Sequence, residues 1–115
     1  MNSGAWTKEF PAAITVCDTH GTILEMNDTA CATFEKDGGK RLIGNNLMDC
    51  HTGQARLKLE TLLQSESANC YTIEKGGMKK LIFQSPWYEN GKYLGLVEIS
   101  IPIPFEMPHF VREAR

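Results

Sequence analysis

Two short stretches near the start of the chain alternate hydrophobic and polar residues. Ile14 and Val16 alternate with polar neighbours, and Leu24 and Met26 repeat the pattern after a short break. A period of two residues is typical of strands that present one face to a core. The break at positions 18–21, with the sequence Asp-Thr-His-Gly, favours a tight turn, because Asp accepts backbone hydrogen bonds two residues on and Gly suits the last turn position. The pattern therefore predicts a β-hairpin.

Helical patterning follows this hairpin. Asn27 and Asp28 offer side-chain oxygens that cap a helix, and Ala30 and Phe34 lie four residues apart on one helical face. A longer amphipathic helix is predicted over 54–64. Its apolar stripe consists of Ala55, Leu59, Leu62 and Leu63. We expect this stripe to cover a sheet.

Three more strands are predicted over 69–75, 78–88 and 93–101. Gly76-Gly77 and Asn90-Gly91 between them are strong hairpin signals, and Pro86 indicates a bulge or an edge position, since proline cannot donate to a ladder. In the last strand one face carries Val97, Ile99 and Ile101, whereas the other carries Leu96, Glu98 and Ser100. Strands on both sides of a helical block predict an α+β domain, with a five-stranded antiparallel sheet and helices packed on one face.

Composition limits the class of protein. A chain of 115 residues, 42% hydrophobic and 23% charged, suits one globular domain. The net charge of −2 and the lack of a basic patch argue against nucleic acid as a partner. No apolar run is long enough for a membrane span, and no signal peptide is evident, so we expect a cytoplasmic protein without a membrane partner. The four cysteines lack metal-ligand spacing and are expected to be free thiols.

The opening hairpin and the order of the elements resemble those of a PAS domain, a small sensor fold. In that family the first hairpin has an Asp-x-x-Gly turn and ends in Asn before a short helix, as residues 18–27 do here. The resemblance covers 11–103, between an N-terminal segment, 1–10, and a C-terminal tail, 104–115. The resemblance implies that several short helices and one longer helix pack on one face of the sheet. It also implies a sensory module of signal transduction rather than an enzyme.

Residues 43–51, Ile-Gly-Asn-Asn-Leu-Met-Asp-Cys-His, resemble a narrower bacterial subgroup with an Asp-Cys-His motif before the long helix. In that subgroup Pro normally follows, and Thr52 replaces it here. Residues 90–99 are also similar to the last hairpin of the subgroup.

The same segment bears on cofactors. Light-sensing flavin PAS domains carry Gly-x-Asn-Cys, and here Leu47 stands where the reactive thiol would be, so covalent flavin photochemistry is not expected. Non-covalent flavin remains an alternative. Haem is another, because His51 could ligate iron, but a His51 that caps a helix or holds a loop by hydrogen bonding is the favoured interpretation.

In the PAS fold a ligand pocket lies between the helices and the concave face of the sheet. The resemblance implies apolar lining residues, with polar groups among them that orient a ligand. The apolar candidates are Val16, Met26, Phe34, Leu47, Leu59, Tyr71, Phe83 and Val97. The polar candidates are His51 and Ser85, together with the hydroxyl of Tyr71.

Two classes of function follow. The first is a sensory module that binds a small ligand and signals to a protein partner or an output domain in trans. We expect it to be a homodimer formed through an exposed sheet face or through residues 6–10. The second is a ligand-free dimerisation or docking module. A distant third is an enzyme with Cys50 as nucleophile and His51 as base, for which no third orienting group is evident.

Overall fold

The computed structural model describes residues 5–114, which contain five strands and two α-helices. The strands are β1 (Ala13–Cys17), β2 (Ile23–Met26), β3 (Asn69–Lys75), β4 (Met78–Glu89) and β5 (Lys92–Ile103). The α-helices are α1 (Asp28–Thr33) and α2 (Gly53–Ser65). Short 3₁₀ helices span Ala5–Thr7, Glu35–Asp37, Gly39–Leu42 and Leu47–Cys50.

All five strands form one antiparallel sheet in the order β2-β1-β5-β4-β3. The predicted α+β class is confirmed. β5 lies at the centre, between β1 and β4, and the helical segments pack on one face. Their contact with the sheet forms the core, which contains Cys17, Ile23, Leu42, Leu47, Met48, Leu59, Leu62, Leu63 and Leu96.

The first turn has the predicted hydrogen bonds. Asp18 Oδ1 accepts from the backbone N–H of His20 at 2.9 Å and from that of Thr22 at 3.0 Å. Gly21 has a φ of 87°, a conformation that favours glycine. The turn therefore closes through one carboxylate and one left-handed residue.

Asn27 joins the hairpin, α1 and the N-terminal segment. Its Oδ1 accepts from the N–H groups of Ile14 and Ala30, both at 2.9 Å, and so caps α1 as predicted. Its Nδ2 donates to the carbonyls of Ala12 at 2.8 Å and Thr7 at 2.9 Å. Asp28, the other proposed cap, lies inside α1 and forms an ion pair with Lys8 instead. One carboxamide thus holds three parts of the chain together.

The two faces of the sheet are set by the alternation of side chains. In β1, Ala13, Thr15 and Cys17 are buried, whereas Ile14 and Val16 between them are half-buried. The face that meets the helices is called the inner face. In β5 the inner face carries Leu96, Glu98 and Ser100, because Thr15 is the register partner of Glu98 and Cys17 that of Leu96.

The opposite face of the sheet, called the outer face, is apolar and accessible. It consists of Ile14, Val16, Leu81, Phe83, Ser85, Val97, Ile99, Ile101 and Ile103. Phe83 is 40% exposed there. Charged side chains lie only at its margins among the described residues, with Glu25 beside Val16 and Lys79 beside Ile103.

The position of Pro86 in β4 is explained by the length of β3. Pairing between β3 and β4 ends at Asn69 and Gln84, so Pro86 lies where one side of β4 is open. A missing N–H on that side breaks no ladder bond. A bulge follows between Trp87 and Tyr88.

Replacing Asn27 by Ala is expected to lower the free energy of unfolding by about 2–3 kcal/mol, because a helix cap and several bonds to buried backbone are lost together. Urea unfolding followed by circular dichroism measures this. Asn45→Ala is the matched control. The Asn45 side chain is exposed, so its loss should cost less than about 0.5 kcal/mol. Equal losses in the two variants would contradict the role assigned to Asn27.

Candidate functional site

A cavity of about 230 Å³ lies between the inner face of the sheet and the segment from α1 to the end of the last 3₁₀ helix. Its walls are mainly apolar, with polar groups on the sheet side and at the rim. The apolar lining residues are Ile23, Met26, Phe34, Leu42, Leu47, Ile73 and Ile82. The polar ones are Thr15, Thr33, Asp37, Cys50, His51, Tyr71, Lys75, Lys80, Glu98 and Ser100. The cavity opens along β3, where Tyr71 is 43% exposed.

A row of polar side chains on the inner face runs from a neighbouring groove into this site. Thr15, Glu98, Gln84 and Asn69 are successive register partners on β1, β5, β4 and β3. Asn69 Nδ2 donates to Gln84 Oε1 at 2.9 Å, and Gln84 Nε2 donates to Glu98 Oε1 at 3.5 Å. Both donors point along the row toward β5. The row therefore ends on the carboxylate of Glu98, in the cavity.

Glu98 is a partly buried carboxylate on the central strand. Burial raises its pKa, while the nearby imidazole of His51 and the hydrogen bond from Gln84 act in the opposite direction. Its carboxylate in turn contributes to raising the pKa of Tyr71, although burial is the larger cause. The phenol of Tyr71 thus stays protonated and able to donate a hydrogen bond.

His51 is held in one orientation. Its Nδ1 lies 2.9 Å from the carbonyl oxygen of Leu47, which can only accept, so Nδ1 carries the proton. In the neutral ring Nε2 is then an acceptor that is available to the cavity. The predicted role in holding a loop is thereby observed, and it leaves a second nitrogen for a ligand.

Cys50 has no activating partner among residues 5–114. The ring of His51 bonds to the Leu47 carbonyl rather than to the Cys50 thiol. Burial and the nearby carboxylates of Asp37 and Asp49 raise the pKa of Cys50. A thiol with a raised pKa is a poor nucleophile near neutral pH. This geometry does not support Cys50 and His51 as a catalytic pair.

Five of the residues predicted from the sequence line the cavity. They are Met26, Phe34, Leu47, His51 and Tyr71. Leu59 lies on the buried side of α2, where it is 1% exposed and belongs to the core. It borders a neighbouring shallow groove, together with Gln84 and Asn69.

The other four predicted residues lie on the wrong face of the sheet to line this cavity. Val16, Phe83, Ser85 and Val97 are all on the outer face, and Ser85 Oγ donates to the backbone carbonyl of Pro86. The prediction assigned the more hydrophobic set of each strand to the inside. Here the set of β5 that faces the inside is the more polar one, so the residues predicted on β1, β4 and β5 are each next to a residue that faces inward.

Glu98 and Ser100 were therefore missed, as were Thr15 and Lys80 on the neighbouring strands. The alternation itself had separated Glu98 and Ser100 from Val97 and Ile99. What it lacked was the strand order, which places Glu98 next to Gln84 and Thr15. The residues of a single strand do not indicate which strands will lie beside it.

Within residues 5–114 no group of three or more His, Cys, Asp or Glu side chains could hold a metal ion. No helix in the same range is both long and apolar enough to cross a membrane. The polar groups around the cavity are carboxylate, imidazole, hydroxyl and ammonium groups on apolar walls.

Glu98→Gln is expected to raise stability at neutral pH. Because folding raises the pKa of Glu98, the folded chain binds this proton more tightly, and stability is lost as pH rises from about 4.3 through the folded pKa. The variant keeps an acceptor for Gln84 but cannot titrate. Urea melts across this range should give a smaller fall in stability for the variant than for the wild type.

The control for this measurement is Glu74→Gln, which changes an exposed carboxylate on β3. It should leave the pH dependence unchanged. If Glu98→Gln follows the wild-type curve at every pH, burial of this carboxylate has no energetic consequence, which would contradict the role assigned to Glu98.

No family model and no curated protein sequence matches this chain. Solved structures do. The PAS domain of nitrogen regulation protein NR(II) from Vibrio parahaemolyticus is 20% identical, with a TM-score of 0.61 over 90% of this chain and 99% of that one. The Aer2 receptor from Vibrio cholerae, a dual PAS-Heme oxygen sensor, is 12% identical, with a TM-score of 0.62 over 81% and 95%.

A third structure is the PAS domain of an HTR-like protein from the archaeon Haloarcula marismortui. It is 19% identical, with a TM-score of 0.60 over 86% of this chain and 87% of that one. At such identities a structural likeness bears on the fold, and all three agree on it. The narrower resemblance to a subgroup with Asp-Cys-His stays a prediction. The chain has the PAS fold.

Proposed function

We propose that this protein is a sensory or regulatory module of signal transduction, which binds a small ligand in the cavity and acts through contacts with proteins. One observation carries the proposal. A directed row of hydrogen bonds on the inner face ends in the cavity on Glu98, which is the kind of placed polar group that orients a ligand within apolar walls. The structural neighbours, which include a receptor and a nitrogen regulation protein, support a signalling role.

The size of the cavity favours a small metabolite. Pockets for drug-sized ligands are about 300–1,000 Å³, and the cavity here is about 230 Å³. Haem and flavin are larger than most ligands of that class, so neither fits without displacement of the lining. His51 Nε2 is then better suited to a hydrogen bond than to iron.

The outer face supports the proposed contacts with proteins, which we expect to include a homodimer. A contiguous apolar surface that is accessible to solvent is typical of an interaction site. Its centre lies on β5 and β4, where Val97, Ile99 and Phe83 carry no charge, so a second copy can face it without like-charge repulsion. Trp6 and Phe10, whose rings pack edge to face at 5.6 Å, add exposed aromatic surface in the N-terminal segment.

β5 connects the two parts. Glu98 and Ser100 reach the cavity, whereas Val97 and Ile99 belong to the outer face. A ligand that shifts the backbone at Glu98 also shifts the residues of the outer face beside it. Because neighbouring residues of β5 face the cavity and the outer face in turn, this one strand can couple ligand binding to protein contacts.

Native mass spectrometry and an ultraviolet-visible spectrum of the purified chain test ligand binding. We expect a bound small molecule, without the absorption bands of haem or flavin. A strong haem or flavin spectrum would contradict the argument from cavity size. An apoprotein that shows no melting shift with any member of a metabolite panel would favour the ligand-free docking module.

Phe83→Lys is expected to convert a dimer into a monomer, because it places a charge at the centre of the outer face. Sedimentation velocity measures the change. Leu57→Lys is the matched control, since Leu57 is 62% exposed on α2 and outside the outer face. A wild-type chain that sediments as a monomer at every concentration, or a dimer that survives Phe83→Lys, would contradict this interface.

A further inference from the structure

On the sheet side of the cavity, the charged groups are separated by sign as well as by position. The carboxylate of Glu98 lies on the floor, on the central strand, whereas the ammonium groups of Lys75 and Lys80 belong to the strands at the open side. Between them the wall is apolar, with Ile73 and Ile82 on the sheet. A ligand that fills this space meets different chemistry at its two ends.

The floor end offers hydrogen-bond acceptors. Glu98 Oε1 receives the donor from Gln84, and within the described range Oε2 has no hydrogen-bond partner. His51 uses Nδ1 as donor to Leu47, so in the neutral ring Nε2 is a second acceptor, on a residue that lines the same space. Two acceptors, one of them anionic, call for a ligand group that donates more than one hydrogen bond. A primary ammonium group does so and also neutralises the carboxylate.

The rim end offers positive charge. Neither Lys75 nor Lys80 forms an ion pair with any residue in the range 5–114. Asp37 is a third charged group at the rim, on the helical side. It is exposed and is not paired with either lysine. The two cations on the sheet side are therefore free to attract an anionic group.

The separation of the two ends is given by the register. Lys80 precedes Gln84 by four residues on β4, and Gln84 pairs with Glu98. At about 3.3 Å per residue their backbone positions are about 13 Å apart along the strand. Because strand side chains stand roughly perpendicular to the sheet, the charged groups of Lys80 and Glu98 stay about 13 Å apart and leave room for a short alkyl chain between them. The apolar walls of Ile82 and Ile73 suit such a chain.

We infer that the ligand of this cavity is a small zwitterion, with an ammonium group at Glu98 and His51, an apolar middle, and an anionic group at Lys75 and Lys80. This inference rests on the proposed function and narrows it to one ligand chemistry. ω-Amino acids belong to this class. A ligand with only one of the two charged groups satisfies only one end of the cavity.

Three probes of equal chain length distinguish a zwitterion from a ligand with one charged group. They are ε-aminocaproate, hexylamine and caproate. Isothermal titration calorimetry on the full chain, with thermal shift as a second readout, should show that ε-aminocaproate binds about tenfold more tightly than caproate and about threefold more tightly than hexylamine. Binding of hexylamine or caproate with the same affinity as ε-aminocaproate would overturn the inference.

Two variants test which residues bind the ammonium end of the ligand and which bind its anionic end. Glu98→Gln should weaken ε-aminocaproate and hexylamine about tenfold and leave caproate unchanged, because a charge-assisted bond is lost while the acceptor for Gln84 is kept. The double variant Lys75→Gln with Lys80→Gln should weaken ε-aminocaproate and caproate about threefold and leave hexylamine unchanged, as expected for exposed charges.

Lys79→Gln is the matched control for the lysines. Lys79 lies next to Lys80 in sequence, but its Nζ bonds to the Phe105 carbonyl at 3.4 Å and it does not line the cavity. Its substitution should change none of the three affinities. An equal effect of Lys79→Gln would show that net charge, rather than the rim of the cavity, attracts the anion.

The result also separates this inference from the proposed function. If none of the three probes binds but the purified chain carries another small molecule, the zwitterion is wrong and the sensory module stands. If no probe binds and the purified chain is free of ligand, both are overturned.

Discussion

The two-residue period of β5 is the constraint on which the rest of the structure depends. Because this strand is central, each of its side chains faces either the helices or the outer surface, and none is at an edge. Glu98 and Ser100 are thereby committed to the cavity, and Val97 and Ile99 to the outer face. A shift of one residue would exchange the two sets and remove both the polar floor and the apolar contact surface.

Keeping a carboxylate on the inner face costs free energy unless it is compensated. Here the compensation is partial, since Gln84 donates one hydrogen bond, and Asn69 orients Gln84 in turn. The raised pKa of Glu98 shows that burial still outweighs these contacts. A ligand that supplies positive charge removes the remaining penalty, which is a physical reason for binding in a fold this small.

The local signals in the sequence predicted local structure well. The Asp18 turn, the Asn27 cap and the antiparallel strands joined by glycine-rich hairpins were all confirmed. The site was predicted less well. Residues carried by helical segments or by β2, such as Phe34, Leu47 and Met26, were placed correctly at the cavity, whereas Val16, Phe83, Ser85 and Val97 were assigned to the wrong face. Hydrophobicity alone selects the more apolar face, and in this protein that face is the outer one.

By itself, the sequence determined the elements, their turns and the alternation within each strand, because these depend on neighbours a few residues apart. Only the tertiary structure decided which face of the sheet is inside. That choice depends on strand order, which brings Asn69, Gln84, Glu98 and Thr15 into one row although they are far apart in the chain. A row of polar residues across four strands, three of them joined by hydrogen bonds, has no local signature, because each strand contributes only one residue to it.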